Sequence, residues 1–438
     1  MRPNLGVGEG VTRRQFMRAG AGVAASAYAL GSVGTLAGCS EETTSAASGT
    51  VRAVVPEGGL SRAFVEAARE FESTSDISVE ILTYPYAEAR QQQLLELGGG
   101  GDLDAVLIDG QIWLAELHQH LDPIDDRIDA SELERFVASM PTMFQRDDAT
   151  YALPFRVGGW VLIYREDLFD SAGITQVPQT WAEFRDAAER LTSDQTYGFA
   201  APLAQTNFLV AQWLPFLWSF GGELLTGDNQ QAAFNSDAGI EATTFLVDLY
   251  KDGLVPPGAI EADHDGVITA MQQGQTAMAI TYSPYYLEMN SPDQSDFAGS
   301  FAVAGELPRR ADSDLDTGRS MITGWGVGIA RNSVNKDAAW ELAEYLTRDD
   351  VQATLAIEHG NSPTVASVYR DEEYLEAYEA AGEVLDVLKG ASTRPGVVEW
   401  TEIEEALALR LSEALTDSRT VAEALSAAEE DVNEALGS

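Results

Sequence analysis

Carboxylates, aromatic rings and a lone thiol stand in this chain where chemistry could follow. Glu57 comes after the apolar run Val51-Arg-Ala-Val-Val and Pro56, and Asp109 ends the run Asp104-Ala-Val-Leu-Ile. An ionised carboxylate at such a point can only accept hydrogen bonds, so it would hold a donor on a bound molecule. Trp325 lies between Gly324 and Gly326, and glycines without a Cβ allow close approach to the backbone there. Tyr282 and Tyr285 follow the apolar run Thr276-Ala-Met-Ala-Ile-Thr281. The thiol is Cys39, after Leu36-Ala-Gly. A single cysteine cannot form an internal disulfide.

Other chemistry is missing from the pattern. His118 and His120 are near Asp122, but their spacing reads as the flank of a helix end rather than a metal site. His264 and His359 read as surface or capping groups. The chain has no phosphate-binding loop, nucleophile elbow or H-E-x-x-H motif. Aspartate and glutamate total 70, too many for any pair to stand out as acid and base. The sequence gives no positive sign of catalysis, and it calls for no metal and no cofactor.

The candidate groups must be held by regular elements. Val51 to Val55 reads as a buried strand, and Leu60, Phe64, Val65, Ala68 and Phe71 then recur with helical spacing. Ile77, Val79 and Ile81 alternate as in a strand. Ala87 to Leu97 is helix-like, Gly98 to Gly101 stops it, and Asp104 to Asp109 is a third strand. Strands alternating with helices predict an α/β fold with a mostly parallel sheet flanked by helices. In such sheets ligands sit beyond the carboxyl ends of the strands, where Glu57 and Asp109 fall. Thr180 and Glu183 form a capping box in sequence. Near the end, Ile403, Leu407, Leu411 and Leu415 make one helical stripe.

The 438 residues, 45% of them hydrophobic, supply ample core for more than one domain. Acidic residues exceed the 27 basic ones so far that the net charge is -43. With ordinary hydrophobicity, this describes a folded protein with an acidic surface rather than a disordered chain. Self-repulsion of that size destabilises a compact state unless salt screens it. Lysine occurs only at Lys251, Lys336 and Lys389. Together these features point to a halophile. No basic stripe exists to neutralise phosphates, which excludes nucleic acid as a partner.

The first residues read as an address. Thr12-Arg13-Arg14-Gln15-Phe16-Met17-Arg18 has the form of a twin-arginine export signal, and Ala19 to Leu36 is a weakly hydrophobic run of signal type. Leu36-Ala-Gly-Cys39 resembles the lipobox of lipoprotein precursors. The alternative is an N-terminal membrane helix that stays attached. We therefore expect residues 1–38 to be a signal peptide, Cys39 to carry lipid, and residues 39–49 to be a small, polar tether.

Several segments together resemble the extracellular solute-binding proteins of sugar ABC transporters, the maltose- and trehalose-type receptors in particular. They are Leu103 to Asp109 with Trp113, Tyr151-Ala-Leu-Pro-Phe155, Leu162 to Phe169, Val177-Pro-Gln-Thr-Trp181 and Trp218 to Glu223. Gly274 to Ile280, Gly324-Trp-Gly-Val-Gly-Ile329, Asn335 to Leu346 and Arg394-Pro395 complete the set. The resemblance implies a two-lobe, type II periplasmic-binding-protein-like fold. One lobe would comprise residues 50–157 with 283–343, the other 158–282 with 344–438. Crossings are expected near Phe155 to Trp160, near Ile280 to Ser283 and within Trp340 to Leu346. It also implies a monomer on the extracellular face of the cell membrane. Such a protein would bind a mono- or oligosaccharide, hand it to the permease subunits, and not act as an enzyme.

The family's sites carry over residue by residue. Asp109 falls at the acidic ligand position after the third strand, and Glu57 at an acid often found after the first. Arg90 and Arg394 fall at sugar-facing arginines. Trp325, Tyr282 and Tyr285 fall at aromatic positions, with Gly324 giving close access, and Trp113 and Trp181 read as core. One departure matters: where the family often has an acid, this chain has Gly158, followed by Gly159 and Trp160, with Arg156 nearby. Trp160 could supply stacking instead, and Arg156 could suit an anion. The alternatives therefore remain a receptor for a non-sugar anion such as a glycerol phosphoester, or a secreted carbohydrate-active enzyme.

Overall fold

The computed structural model describes residues 49–437 except 111, 138 and 139. The signal peptide, Cys39 and residues 39–48 of the expected tether lie outside the described residues.

The strands are β1 (Gly49–Pro56), β2 (Ile77–Tyr84), β3 (Ala105–Asp109), β4 (Leu121–Asp122), β5 (Gln145–Arg146) and β6 (Ala149–Thr150). They continue with β7 (Ala152–Arg165), β8 (Tyr197–Ala200), β9 (Thr276–Tyr282), β10 (Phe301–Val303) and β11 (Ile322–Ala330). The main sheet runs β2-β1-β3-β11-β7-β9-β8, with β10 on β7 and β4 on β11. It is mixed. β2-β1-β3 and β9-β8 pair in parallel, as alternating strands and helices predict. β11 pairs antiparallel with β3 and β7, and β7 pairs antiparallel with β9.

Strand β7 joins the two lobes. Its residues up to Gly159 pair with β11, and from Trp160 onward it pairs with β9. Strand alternation then divides its side chains between two cores. Val161 and Ile163 enter one, with Val54, Ile108 and Phe155, while Trp160 and Leu162 enter the other, with Trp213, Phe216 and Leu407. Each core is a contiguous apolar cluster of the kind that dominates folding free energy.

Local chemistry explains the helix ends. The Thr180 hydroxyl accepts from the Glu183 N–H at 3.2 Å, and Glu183 Oε2 accepts from the Thr180 N–H at 3.0 Å, completing the capping box. The helix Tyr86–Gly99 stops at Gly100, whose φ of 76° is left-handed and suits glycine.

Two parts of the expected lobe division are corrected. The helix Lys336–Leu346 is not a crossing: it packs on Gly59–Thr74, with Tyr345 and Phe71 rings 5.3 Å apart. The next helix, Asp349–His359, packs there too, and residues through Leu388 stay in the first core. The chain reaches the second core at Val397 and Trp400, so the last passage lies between Leu388 and Val397. Conversely, residues 304–321 leave the first lobe. Leu307 and Met321 enter the second core, and Arg310 N–H donates to Ser219 O at 3.1 Å.

Candidate functional site

A cavity of about 840 Å³ opens where β3, β11, β7 and β9 meet. This is within the range of small-molecule sites, and it lies beyond a strand's carboxyl end at a change of topology. One group of its lining residues gathers around Asp109 and Arg394, and another, of aromatic rings, gathers around His264.

The first wall starts from strand register. Trp325 on β11 pairs with Asp109 at the end of β3. The Trp325 ring meets Trp113 edge-on at 5.1 Å and Tyr86 edge-on at 6.0 Å. The Tyr86 hydroxyl donates to Asp109 Oδ2 at 3.2 Å. Arg394 Nη2 stands 3.9 Å from the same oxygen, and its Nη1 stands 3.6 Å from Glu404 Oε1. The Arg394 guanidinium also lies 5.7 Å from the Trp400 ring centre. Burial pushes the Glu404 carboxyl up to about 7, against the pull of Arg394. One helical turn from Tyr86, Arg90 is paired with Glu116.

The second wall is aromatic. His264 stacks on Phe208 with ring centres 4.9 Å apart and planes 9° apart. Trp160 lies 5.5 Å from the imidazole, and Tyr285 meets it edge-on at 4.9 Å. His264 Nε2 and Thr281 Oγ1 share a 2.7 Å hydrogen bond, which fixes the ring. Burial holds the imidazole down to about 4, so it is neutral near neutral pH. Tyr282 links the walls, its hydroxyl 2.7 Å from Thr323 Oγ1. Gly158 makes room for that ring, since a Cβ there would lie 2.1 Å from Tyr282 Cζ.

Arg90, Asp109, Trp160, Tyr282, Tyr285, Trp325 and Arg394 thus all line one cavity. Glu57 does not: it is exposed in the turn after β1, its N–H bonded to Tyr84 O at 2.8 Å. Gly324 does not either. Alternation turns positions 324 and 326 away from the face of Trp325, and protein side chains fill the space beside them. A Cβ at Gly324 would lie 2.5 Å from Met140 Cε, and one at Gly326 would lie 2.6 Å from Phe144 Cε1. The close approach that these glycines allow is internal packing. Arg156 is also outside the cavity lining.

Several lining residues escaped the sequence reading. His264, taken there as a surface or capping group, is 4% exposed. The cap is its neighbour Asp263, whose carboxylate accepts from Gly266 N–H at 3.1 Å. Trp113 is fully buried, yet it is part of the cavity lining. Tyr86, Phe208, Trp400 and Glu404 were not singled out. The i, i+4 spacings of Tyr86 with Arg90 and of Trp400 with Glu404 were a usable signal. Among the described residues, no group of three or more His, Cys, Asp and Glu could hold a metal ion, and no helix is long and apolar enough to cross a membrane.

Comparison with known proteins gives this geometry a lineage. The maltose-bound MalE3 of T. maritima is 26% identical with a TM-score of 0.78, over 88% of this chain and 99% of that one. An ABC transporter solute binding protein from Thermotoga lettingae TMO, bound with alpha-D-tagatose, is 27% identical with a TM-score of 0.73, over 89% and 100%. The galactooligosaccharide-binding protein of Bacillus subtilis (strain 168) is 24% identical over 387 residues, which are 85% of this chain and 88% of that protein. The family model of the bacterial extracellular solute-binding protein matches residues 57–353. The chain belongs to the bacterial extracellular solute-binding protein family.

Proposed function

We propose that this chain is the receptor of an ABC import system, capturing a carbohydrate between its lobes and delivering it unchanged to the transmembrane permease subunits. The observation that carries this reading is the first wall, where the Trp325 indole stands beside Asp109, Arg394 and Glu404 in one cavity. A sugar ring offers hydroxyls around its rim, suited to carboxylate and guanidinium, and an apolar face suited to an aromatic plane. The similarity to maltose-bound and tagatose-bound receptors supports it.

The anion alternative is weaker on charge. Arg90 is engaged by Glu116, and Arg394 stands between Asp109 and Glu404. A phosphoester would have to displace carboxylates that repel it.

On the same reading the chain leaves the cell through the twin-arginine signal at Arg13-Arg14. It is then lipidated at Cys39 and stands on the outer face of the membrane as a monomer in a saline medium. A two-chain lipid anchors stably where one chain does not. Cys39→Ser should move the protein from the membrane fraction to the medium.

The ligand class is tested by calorimetry of the exported chain in about 1 M salt, where surface charge is screened. Saturable one-to-one binding of a neutral saccharide is expected. Heat from phosphate esters, with none from any neutral saccharide, would overturn the carbohydrate reading.

A further inference from the structure

Three charged side chains meet where the chain makes its last passage between the lobes. Asp109 ends β3 in the first lobe, Glu404 lies on the helix Trp400–Leu415 of the second, and Arg394 stands between them. Their side chains are 8%, 16% and 9% exposed, so one cation shares a largely enclosed space with two carboxyl groups. With both ionised the trio carries one excess negative charge, which burial disfavours. Hydrogen bonding decides which carboxyl takes the proton. Asp109 accepts from the Tyr86 hydroxyl at 3.2 Å and from the Ile112 N–H at 3.4 Å, and both bonds favour its ionised form. Glu404 Oε1 is buried with no hydrogen-bond partner, and Arg394 Nη1 is 3.6 Å away. The proton therefore belongs to Glu404, in keeping with its raised carboxyl.

The other ionisable groups of the cavity are occupied or neutral. Arg90 is paired with Glu116, and Tyr282 is hydrogen-bonded to Thr323. Burial keeps His264 uncharged and pushes the Tyr86 and Tyr285 hydroxyls up. Of the helices packed on Trp400–Leu415, Asn207–Ser219 has no ionisable residue, and those of Asp237–Lys251 and Val421–Gly437 do not line the cavity. A neutral molecule filling the cavity displaces the water that screens the trio, so protonated Glu404 gains over the ionised form. By linkage, a proton held more tightly in the complex makes the ligand bind more tightly when the proton is present.

We propose that Glu404 is a proton-binding group of the receptor site, so that capture of a neutral sugar takes up a proton and weakens as the medium turns alkaline. This rests on the carbohydrate reading of the same cavity.

The test is calorimetry of the exported chain with the best-bound of maltose, lactose and mannitol, in buffers of different ionisation heat. Near neutral pH the parent is expected to take up about a third of a proton or more per sugar, and its affinity to fall at least about threefold from about pH 6 to about pH 8.5. Glu404→Gln is expected to show no uptake and a flat profile. In the parent isotope-labelled at its glutamate carboxyl carbons, the resonance missing from Glu404→Gln should titrate near 7 and move to higher pH when sugar is added, a readout that does not need the variant to bind. Sugar bound without proton uptake, or with proton release, would overturn the proposal and leave the carbohydrate reading standing. So would uptake undiminished in Glu404→Gln. If none of these sugars binds, both readings fall together.

Discussion

Trp325 stands directly opposite Asp109 in the antiparallel ladder between β11 and β3. Opposed residues share a sheet face, with Cβ atoms about 4.5–5.5 Å apart. The backbone register therefore sets the spacing of aromatic plane and carboxylate, and no loop has to order for it. Arg394 reaches this pair from the far end of the chain, close to the last passage between lobes. Asp109→Asn keeps the shape and removes the charge facing Arg394. Sugar affinity should fall about tenfold or more, roughly 1.4 kcal/mol, as titration calorimetry would show. Undiminished affinity would remove Asp109 from the site.

Glu404 and His264 give stability opposite dependences on pH. The raised Glu404 carboxyl, about 7 against 4.5, keeps a proton in the folded chain that the unfolded chain has lost. Its contribution is complete below about 4.5 and is lost as pH rises through about 7. The lowered His264 imidazole, about 4 against 6.5, leaves the unfolded chain with the extra proton. That stability is complete above about 6.5 and is lost as pH falls through about 4. The slopes oppose each other in the parent chain, and Glu404→Gln removes one of them. Its unfolding free energy relative to the parent should climb between pH 4.5 and 7, by at most about 3 kcal/mol. A pH-independent difference would contradict the buried, titrating carboxyl.

Gly158 and Tyr282 share one space. Gly158→Ala would drive the Tyr282 ring from its place and from Thr323, at a cost of about 1–3 kcal/mol. In a Tyr282→Ala background the obstruction is gone, so the same change should be nearly neutral. Chemical denaturation of the four chains closes this cycle, and additive costs would show that the ring is not what glycine accommodates.

A net charge of -43 should make folding salt-dependent. Raising salt from about 0.1 M to about 1 M shortens the screening length from about 10 Å to about 3 Å. The melting temperature should rise markedly over that range. A flat response in sodium chloride would remove the halophile reading.

The sequence exposed local order well. β1 to β3 with their helices, the Thr180 capping box and the stop at Gly100 all follow from periodicity and turn chemistry. It also exposed the first wall, because Asp109 ends an apolar strand and Trp325 interrupts a glycine-rich one. The second wall stayed hidden. His264 sits among acidic residues, and only tertiary contact reveals that Asp263 caps the helix while the imidazole turns inward. Glu404 adjoins an amphipathic stripe, and its burial depends on Arg394 and Trp400 folding over it. Periodicity marks the helices from Lys336 to Lys389 but not that they all pack in the first lobe. An apolar face shows that a helix packs, but not against which partner.

Trp325 provides the most direct test. Neutral saccharides should be titrated into the exported chain and its Trp325→Ala form in about 1 M salt, with heat recorded. The parent should bind one equivalent saturably, and the variant should bind at least about tenfold more weakly while folding normally. Equal affinity in the two chains, or no saccharide bound by either, would contradict a sugar site built on Trp325.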